Sequence, residues 1–487
     1  MYVLGVDFGG GASKATLIDN NGKVIATSKS EYQTITLADG GREQVPNDWI
    51  NATVINIKNV LQKSGVDAKD ILCVCFDAAT HTAVLMDENF NPVRNSVYWT
   101  DTRSINQKKY LEENFGEDIF NKFYHKVDTI WTLPELLFVK ETEPEIWQKV
   151  KKITFSKDYV RHFFTGDFVT DYIEAEGSLF FDFNEMKWSK QYLDILGIDE
   201  TYLPKIVNPL DKVGVVCKKA ADLSGLQEGT PVICGSTDTA MEVFASGACN
   251  KGQMTVKLAT AGRMCIVTDN LTPDKNLVSY SHLVEGLYYP GTATKACASS
   301  LRWFRDTFGG EFEEFSEIAK DIPVGSDGLI FSPYLNGELT PYANPKLKGS
   351  FFGLTFMHTK AHFVRSVMEG TGFSLKHCKE YLVSTGKEFP KEAFIIGGGA
   401  NSAVWKQIIA DCLNIKLYRT LNNDSSMGSA MCSGIAVGMF KDYNDAVQKC
   451  QVIVDVTEPI SENVEKYDRI FEQYKKIGNF LSLLYNE

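Results

Sequence analysis

The sequence predicts an α/β fold of two lobes, and three observations carry that expectation. The chain has 487 residues, beyond the roughly 250–300 at which a single hydrophobic core stops growing. Strand-like apolar runs alternate with helical stretches through much of it. Two distant stretches also share one outline. "YVLGVDFGGGASKATLID" from Tyr2 and "MTVKLATAGRMCIVTD" from Met254 are each a strand, a small-residue turn and a second strand. A tight turn between alternating runs is a hairpin signal. Two readings of the echo stay open at this point: two unrelated hairpins, or a duplicated fold whose halves each offer a backbone-amide turn to a phosphate.

The remaining elements follow in order. "WINATVINIKNVLQKSG" reads as an amphipathic helix, and "ILCVCFDAATHTAVLMD" as two strands around a short polar turn. "WTLPELLFVKETEPEIWQKV" reads as a helix with Pro134 near its first turn, where proline is tolerated. In the second half "AHFVRSVMEGTGFSLKHCKEYL" is a long helix, and "EAFIIGGGANSAVWKQIIADCL" is strand, glycine turn and helix. The tail from Ser461 reads as one charged amphipathic helix. No low-complexity linker interrupts the chain, so the boundary is placed near residue 245, with residues 1–245 as one lobe and 246–487 as the other.

Composition narrows the function classes. The chain is 44% hydrophobic and 23% charged, with a formal net charge of −12. That is a globular composition, and its sign argues against nucleic acid or an anionic membrane as the main partner. An anionic ligand would have to be held by backbone amides, helix N-termini and a metal. The eleven cysteines are scattered and odd in number, which reads as buried free thiols of a reducing compartment. The start carries no basic leader region, and no apolar run approaches the ~20 residues of a membrane span. The expectation is a cytoplasmic protein.

Three stretches carry candidate chemistry. In "GVDFGGGASK" Asp7 ends a buried strand ahead of Gly9, Gly10, Gly11 and Lys14. Glycines let backbone N–H groups approach an anion, and a strand-end aspartate can hold Mg²⁺ through water. The same turn can equally be structural. In "FIIGGGANSAVW" Gly398, Gly399 and Asn401 precede a helix, which offers N-terminal amides to a phosphate or ribose, or is simply a tightly packed turn. In "GSTDTAMEVF" Asp238 stands behind three small residues and ahead of an apolar run, an ordinary helix N-cap pattern.

In combination and in this order, these elements resemble the FGGY carbohydrate kinases of the actin/hexokinase/Hsp70 (RNase H-like) superfamily. The resemblance runs nearly end to end. Its most specific piece is "GSFFGLTFMHTKAHFVRSVMEG", which fits the family's C-terminal signature, preceded by "FSPYLNGELTPYANP". In "GSTDTA" Asp238 takes the place of the family's catalytic aspartate, with Thr239 beside it on the substrate side. "DAATHTAVLMD" puts His81 at the family's sugar-contacting histidine, whose plainer alternative is a buried, hydrogen-bonded core histidine. "YWTDTRS" makes Trp99 and Asp101 substrate-side candidates, the alternative being a surface turn anchored by one buried tryptophan. "GGREQVPNDW" brings Glu43 and Gln44 near the sugar mouth by analogy. "KLATAGRM" resembles the second phosphate turn, with Thr260 and Gly262 matching. "SSMGSAMCSGIAVG" resembles the helix beside the adenine, with Gly428 matching.

The resemblance implies a two-lobed duplicated fold with a cleft between the lobes, sugar on the N-terminal side and nucleotide on the C-terminal side. It implies ATP and Mg²⁺ as cofactors, the metal held by Asp7 through water and by Asp238. Asp238 would orient and deprotonate a primary hydroxyl of the sugar. The acceptor it points to is D-xylulose, with ribulose, erythritol, glycerol and gluconate open. The partners implied are a small sugar and ATP, with no nucleic acid and no membrane, and with a homodimer left open. A reading from another class also stands: a non-catalytic ATP-binding sugar sensor on the same fold.

Overall fold

The computed structural model describes residues 1–271 and 273–485. Packing divides them into two units: Met1–Cys249 with Tyr280–Gly286 and Asn422–Gln451, and Asn250–Ser279 with Leu287–Leu421 and Val452–Glu487. Each is built on a six-stranded sheet.

The first unit's strands are β1 (Tyr2–Phe8), β2 (Ala12–Asp19), β3 (Val24–Glu31), β4 (Ile71–Ala78), β5 (Lys212–Val215) and β6 (Pro231–Ile233), in the order β5-β6-β4-β1-β2-β3. β1 to β3 run antiparallel, and β4 lies parallel to both β1 and β6. Its helices include α1 (Pro46–Ser64), α2 (Ser156–Thr165), α3 (Lys218–Ser224) and α4 (Asp238–Ser246). α1 starts on a proline and stops at Gly65, whose φ of 65° is the left-handed C-cap that glycine adopts without steric cost.

The second unit repeats the plan. β7 (Met254–Leu258), β8 (Gly262–Ile266) and β9 (Gly291–Ala293) are antiparallel; β10 (Glu392–Ile396) and β11 (Lys416–Thr420) extend from β7 in parallel; β12 (Ile453–Thr457) closes the edge antiparallel. Its helices include α5 (Ala298–Phe308), α6 (Phe312–Lys320), α7 (Lys360–Ser384) and α8 (Ala403–Leu413). The order β9-β8-β7-β10-β11-β12 has the same sequence of strand directions as β3-β2-β1-β4-β6-β5. Of the two readings of the echo, the duplicated fold is the one that accounts for both sheets. Two more helices follow, α9 (Ser425–Ala436) in the first unit and α10 (Ser461–Leu484) in the second.

Three local differences from the expectations have simple causes. The stretch from Trp131 is two helices, Thr132–Thr142 and a short Pro144–Trp147, because Pro144 cannot continue a helix and restricts the residue before it. The strand Ala83–Met86 pairs with Lys152–Phe155 and stays outside the sheet of β4. The boundary falls at Cys249 and Asn250, and residues 422–451, on the far side of the expected boundary, pack with the first unit. The reason is steric: a Cβ on Gly5 would collide with the backbone of Ser426 and Ala430, so the bare Cα of β1 lets α9 lie directly across it.

Candidate active site

The first unit gathers its acidic chemistry at the ends of β1, β4 and β6. Asp7 and Asp77 are register partners on adjacent parallel strands, which places their side chains on one side of the sheet. Asp77 is fully buried and accepts a hydrogen bond from the Ser429 hydroxyl of α9 at 2.5 Å. Burial, then the neighbouring Asp7, pushes the Asp77 carboxyl well above the usual carboxylate range. Asp7 is half-buried, but its Oδ1 is wholly so and has no hydrogen-bond partner among the described residues. Burial, with the nearby carboxylates of Asp238 and Asp424, raises its pKa to about 7.

The turn after β1 is held from outside. The carbonyl of Gly9 accepts from the Tyr32 hydroxyl at 2.5 Å, that of Gly10 from Thr34 at 2.6 Å and Gln44 at 3.0 Å, and that of Gly11 from the Tyr32 amide at 3.1 Å. With every carbonyl of the turn engaged, the amides of Gly10 and Gly11 are what it has left to offer an anion. A Cβ on Gly9 would meet nothing, so the turn is open there. Lys14 is ion-paired at 2.5 Å with Asp424, the N-cap of α9.

Asp238 is presented by the turn between β6 and α4, and each letter of "GSTD" has a task. Gly235 has φ 75°, and a Cβ there would collide with the carbonyl of Phe76. Ser236 donates to Asp171 at 2.8 Å. Thr237 is the N-cap, accepting from the Ala240 amide at 3.2 Å. Asp238 is half-exposed at the first position of the helix. Its Oδ1 accepts from the Thr239 amide at 2.6 Å and from the hydroxyls of Thr80 and Thr239, each at 3.3 Å. Its Oδ2 has no hydrogen-bond partner among the described residues. A carboxylate fixed through one oxygen and open at the other can take a proton from a hydroxyl set against it.

Behind this turn stands a buried charge network on α2. Lys157 pairs with Asp158 and Asp171 at 2.5 and 2.8 Å, and Arg161 pairs with Asp158 and Asp167 while donating to the Cys234 carbonyl at 2.7 Å. Through Asp171 and Cys234 these charges hold the strand end and Ser236, so the backbone under Asp238 has no loose member.

The other expected substrate residues fare unequally. His81 is buried with φ 70°. Its amide donates to Glu174 at 2.8 Å, its carbonyl accepts from Thr132 at 3.0 Å, and its Nε2 lies 2.7 Å from the Tyr280 hydroxyl. Its Nδ1 is buried over Gly177, where an added Cβ would overlap the ring. That is the hydrogen-bonded core histidine of the plainer reading, placed beside Thr80 and hence beside Asp238. Trp99 and Asp101 reverse the expected surface turn. Trp99 is 39% exposed, whereas Asp101 is 2% exposed and takes bonds from the Arg42 amide, the Arg103 amide and the Arg103 guanidinium. Asp101 clamps a loop, and Arg103 continues to Glu43, which also holds Arg94. Glu43 and Gln44 are therefore engaged in the scaffold.

The second unit holds a cavity of about 510 Å³, within the range of small-molecule sites. Its apolar wall is Leu258, Leu301, Met368 and Trp405, and its polar rim includes Thr260, Arg302 and Asn401. Gly398 and Gly399 line it too; Gly398 has open space where a side chain would project, whereas Gly399 is pressed on Leu258. Four expected nucleotide residues thus meet in one cavity: Thr260, Gly398, Gly399 and Asn401. Two do not. The Gly262 amide already donates to Thr294 at 3.0 Å, so it is not offered to a phosphate. Gly428 is buried in the first unit, where its Cα faces the backbone of Met241; it is a helix-packing glycine.

Sequence reading missed Asp77, Asp424, Glu174 and Tyr280. Asp77 had a signal, since it ends an apolar strand as Asp7 does. The others had none, because their partners are remote in sequence.

Among the described residues no group of three or more His, Cys, Asp or Glu side chains is arranged to hold a metal ion, and no helix is long and apolar enough to cross a membrane. The orphaned Oδ1 of Asp7 is a hard oxygen donor that fits Mg²⁺, an ion usually held by one or two carboxylates together with substrate phosphates.

Comparison with known proteins places the whole chain in a family. The chain is 33% identical over 481 residues to the xylulose kinase of Bacillus subtilis (strain 168), covering 98% of this chain and 96% of that protein. It is 26% identical over 502 residues to the gluconokinase of the same organism, covering 100% and 97%. The crystal structure of ligand-bound xylulose kinase from Lactobacillus acidophilus superposes with a TM-score of 0.92 at 25% identity, covering 99% of both chains. Residues 2–245 match the N-terminal domain of the FGGY family of carbohydrate kinases and residues 264–437 its C-terminal domain, and the chain belongs to that family.

Proposed function

We propose that this carbohydrate kinase transfers the γ-phosphoryl group of ATP to the primary hydroxyl of D-xylulose, giving D-xylulose 5-phosphate. The observation that carries the reading is Asp238, fixed through Oδ1 and open at Oδ2. The preference for xylulose rests on the full-length likeness to xylulose kinases. The gluconokinase relatives keep gluconate as the second acceptor to test.

In this reading Asp238 Oδ2 accepts the hydroxyl proton as the sugar oxygen forms its bond to the γ-phosphorus. The bond from that phosphorus to the β–γ bridging oxygen breaks, and ADP leaves with the electron pair. Such transfers need positioning and charge neutralisation more than covalent help from the protein. Mg²⁺ bound with ATP supplies part of that neutralisation, and Asp7 would hold it through water. The amides of Gly10 and Gly11 face developing phosphate charge at no cost of reorganisation. His81, locked by Glu174, Thr132 and Tyr280, forms a wall of the acceptor site. Thr260, Gly398 and Asn401 meet the nucleoside in the cavity of the second unit, whose apolar wall suits a purine.

A coupled ADP-release assay across ketopentoses, polyols and aldonates tests the substrate. Highest kcat/KM on D-xylulose is expected, and a clear preference for gluconate would reassign the acceptor. Asp238→Asn is expected to lower kcat by about 10²–10⁴-fold with nucleotide affinity retained. Near-normal turnover of that variant would remove Asp238 as the base, and activity on no sugar at all would favour the sensor.

A further inference from the structure

A second cavity of about 510 Å³ lies in the first unit, walled by α1, the turn at residues 87–91, α2 and α3. No residue of the candidate active site lines it. Its lining is distinctive in charge: in a chain of net charge −12 it contains no carboxylate, but one lysine, one histidine and four asparagines. The ammonium of Lys219 stands 4.9 Å over the Phe163 ring and has no carboxylate partner among the described residues. The carboxamides of Asn51 and Asn89 have no hydrogen-bond partner among the described residues either, and each offers two donors and an acceptor.

The aromatic side of the cavity is built under strain. Phe90 has φ 62°, a left-handed conformation that is a genuine outlier for a bulky residue. It is held by the turn bond from its amide to the Asp87 carbonyl at 3.2 Å and by stacking on His162 at 4.3 Å between ring centroids. The Nδ1 of His162 bonds the Asp167 carbonyl. A carbonyl only accepts, so Nδ1 carries a hydrogen and donates it there. Strain of this kind persists where the surroundings over-determine it, and it concentrates at ligand sites.

We propose that this cavity binds a small phosphorylated sugar. The phosphate sits on Lys219, the hydroxyls bond the carboxamides of Asn51 and Asn89, and the apolar face of the sugar lies on Phe90. The absence of carboxylates selects against cations, the unpaired ammonium selects for an anion, and the amides match a polyol better than a bare ion.

The test is calorimetric titration of the full chain with D-ribose 5-phosphate, D-ribose and inorganic phosphate. Binding of D-ribose 5-phosphate is expected at one site, with both simpler probes at least about tenfold weaker. Phe90→Gly removes the aromatic face and the strain of a positive φ, which glycine adopts freely, at the loss of the ring contacts with His162 and Phe168, and a thermal melt checks that the variant is folded. The substitution is expected to weaken the sugar phosphate by about tenfold or more. Lys219→Met, an exposed change, should weaken it similarly and remove the advantage over D-ribose. Binding of equal strength in wild type and both variants, or no binding of D-ribose 5-phosphate, overturns the proposal. Equal affinity for inorganic phosphate overturns the sugar part, and equal affinity for D-ribose overturns the anion part.

Discussion

Gly177 and His81 show how much one hydrogen atom can decide. The imidazole ring occupies the space where any other residue at 177 would put its Cβ, while three further bonds fix the backbone and Nε2 of His81. Gly177→Ala must therefore displace the ring. We expect a stability loss of about 1–3 kcal/mol from overpacking. If His81 walls the acceptor site, KM for the sugar rises with nucleotide affinity unchanged. Steady-state kinetics with each substrate varied would show it, and an unaltered sugar KM would remove His81 from the site. At this scale legibility follows sequence distance. Asp7 could be read because a carboxylate ending a buried strand ahead of three glycines is locally odd, whereas Asp238, an ordinary N-cap pattern by itself, was singled out by the resemblance. Tyr280 could not, since nothing near it announces a histidine far back in the chain. The motif around Asp101 is the same whether the carboxylate meets a sugar or clamps Arg103.

α9 is the element whose placement sequence pattern could not supply. The resemblance set this stretch beside the adenine. In the structure the close neighbours are β1 at Gly5 and α4 at Met241. The helix also delivers Ser429 to Asp77 and Asp424 to Lys14. Its small faces are thus a device for bringing backbone against backbone, as in other close helix crossings, where a methyl group is enough to force a shift. Gly428→Ala is expected to lower stability by about 1–3 kcal/mol and to lower kcat, because α4 begins with Asp238. Nucleotide affinity should be unchanged. A titration showing weakened nucleotide binding with stability intact would return Gly428 to the nucleotide site. The hairpins, the long α7 and the tail α10 were legible because their periodicity is local. The break at Pro144 was legible in principle, since proline states it outright.

For the whole molecule the duplication explains why two glycine turns occur, and why only one of them leaves its glycine amides open. The first unit also carries buried titrating groups that pull stability in opposite directions with pH. Burial raises Asp7 to about 7 and Glu176 to about 8. Both bind protons in the fold that the unfolded chain has released, so their contribution weakens as pH rises from the ordinary carboxylate range toward those values. His282 works the other way. Its Nδ1 accepts from the Val284 amide at 2.9 Å and its Nε2 donates to the Ala248 carbonyl at 3.0 Å, a neutral ring satisfied on both sides. Burial lowers its pKa from 6.5 to about 4. Between those values the unfolded chain takes a proton that the fold refuses. The stability due to His282 is complete above about pH 6.5 and is lost as pH falls toward 4. From pH 7 to pH 5 this amounts to about 2 kcal/mol. Net acid sensitivity mixes both signs, so the informative quantity is a difference between proteins. His282→Gln is expected to be less stable than wild type at pH 7, through the lost hydrogen bonds, yet to lose less on acidification to pH 5. Thermal midpoints of both proteins at the two pH values give the comparison. Parallel declines would mean that His282 is protonated in the folded state and that its two bonds do not hold it neutral.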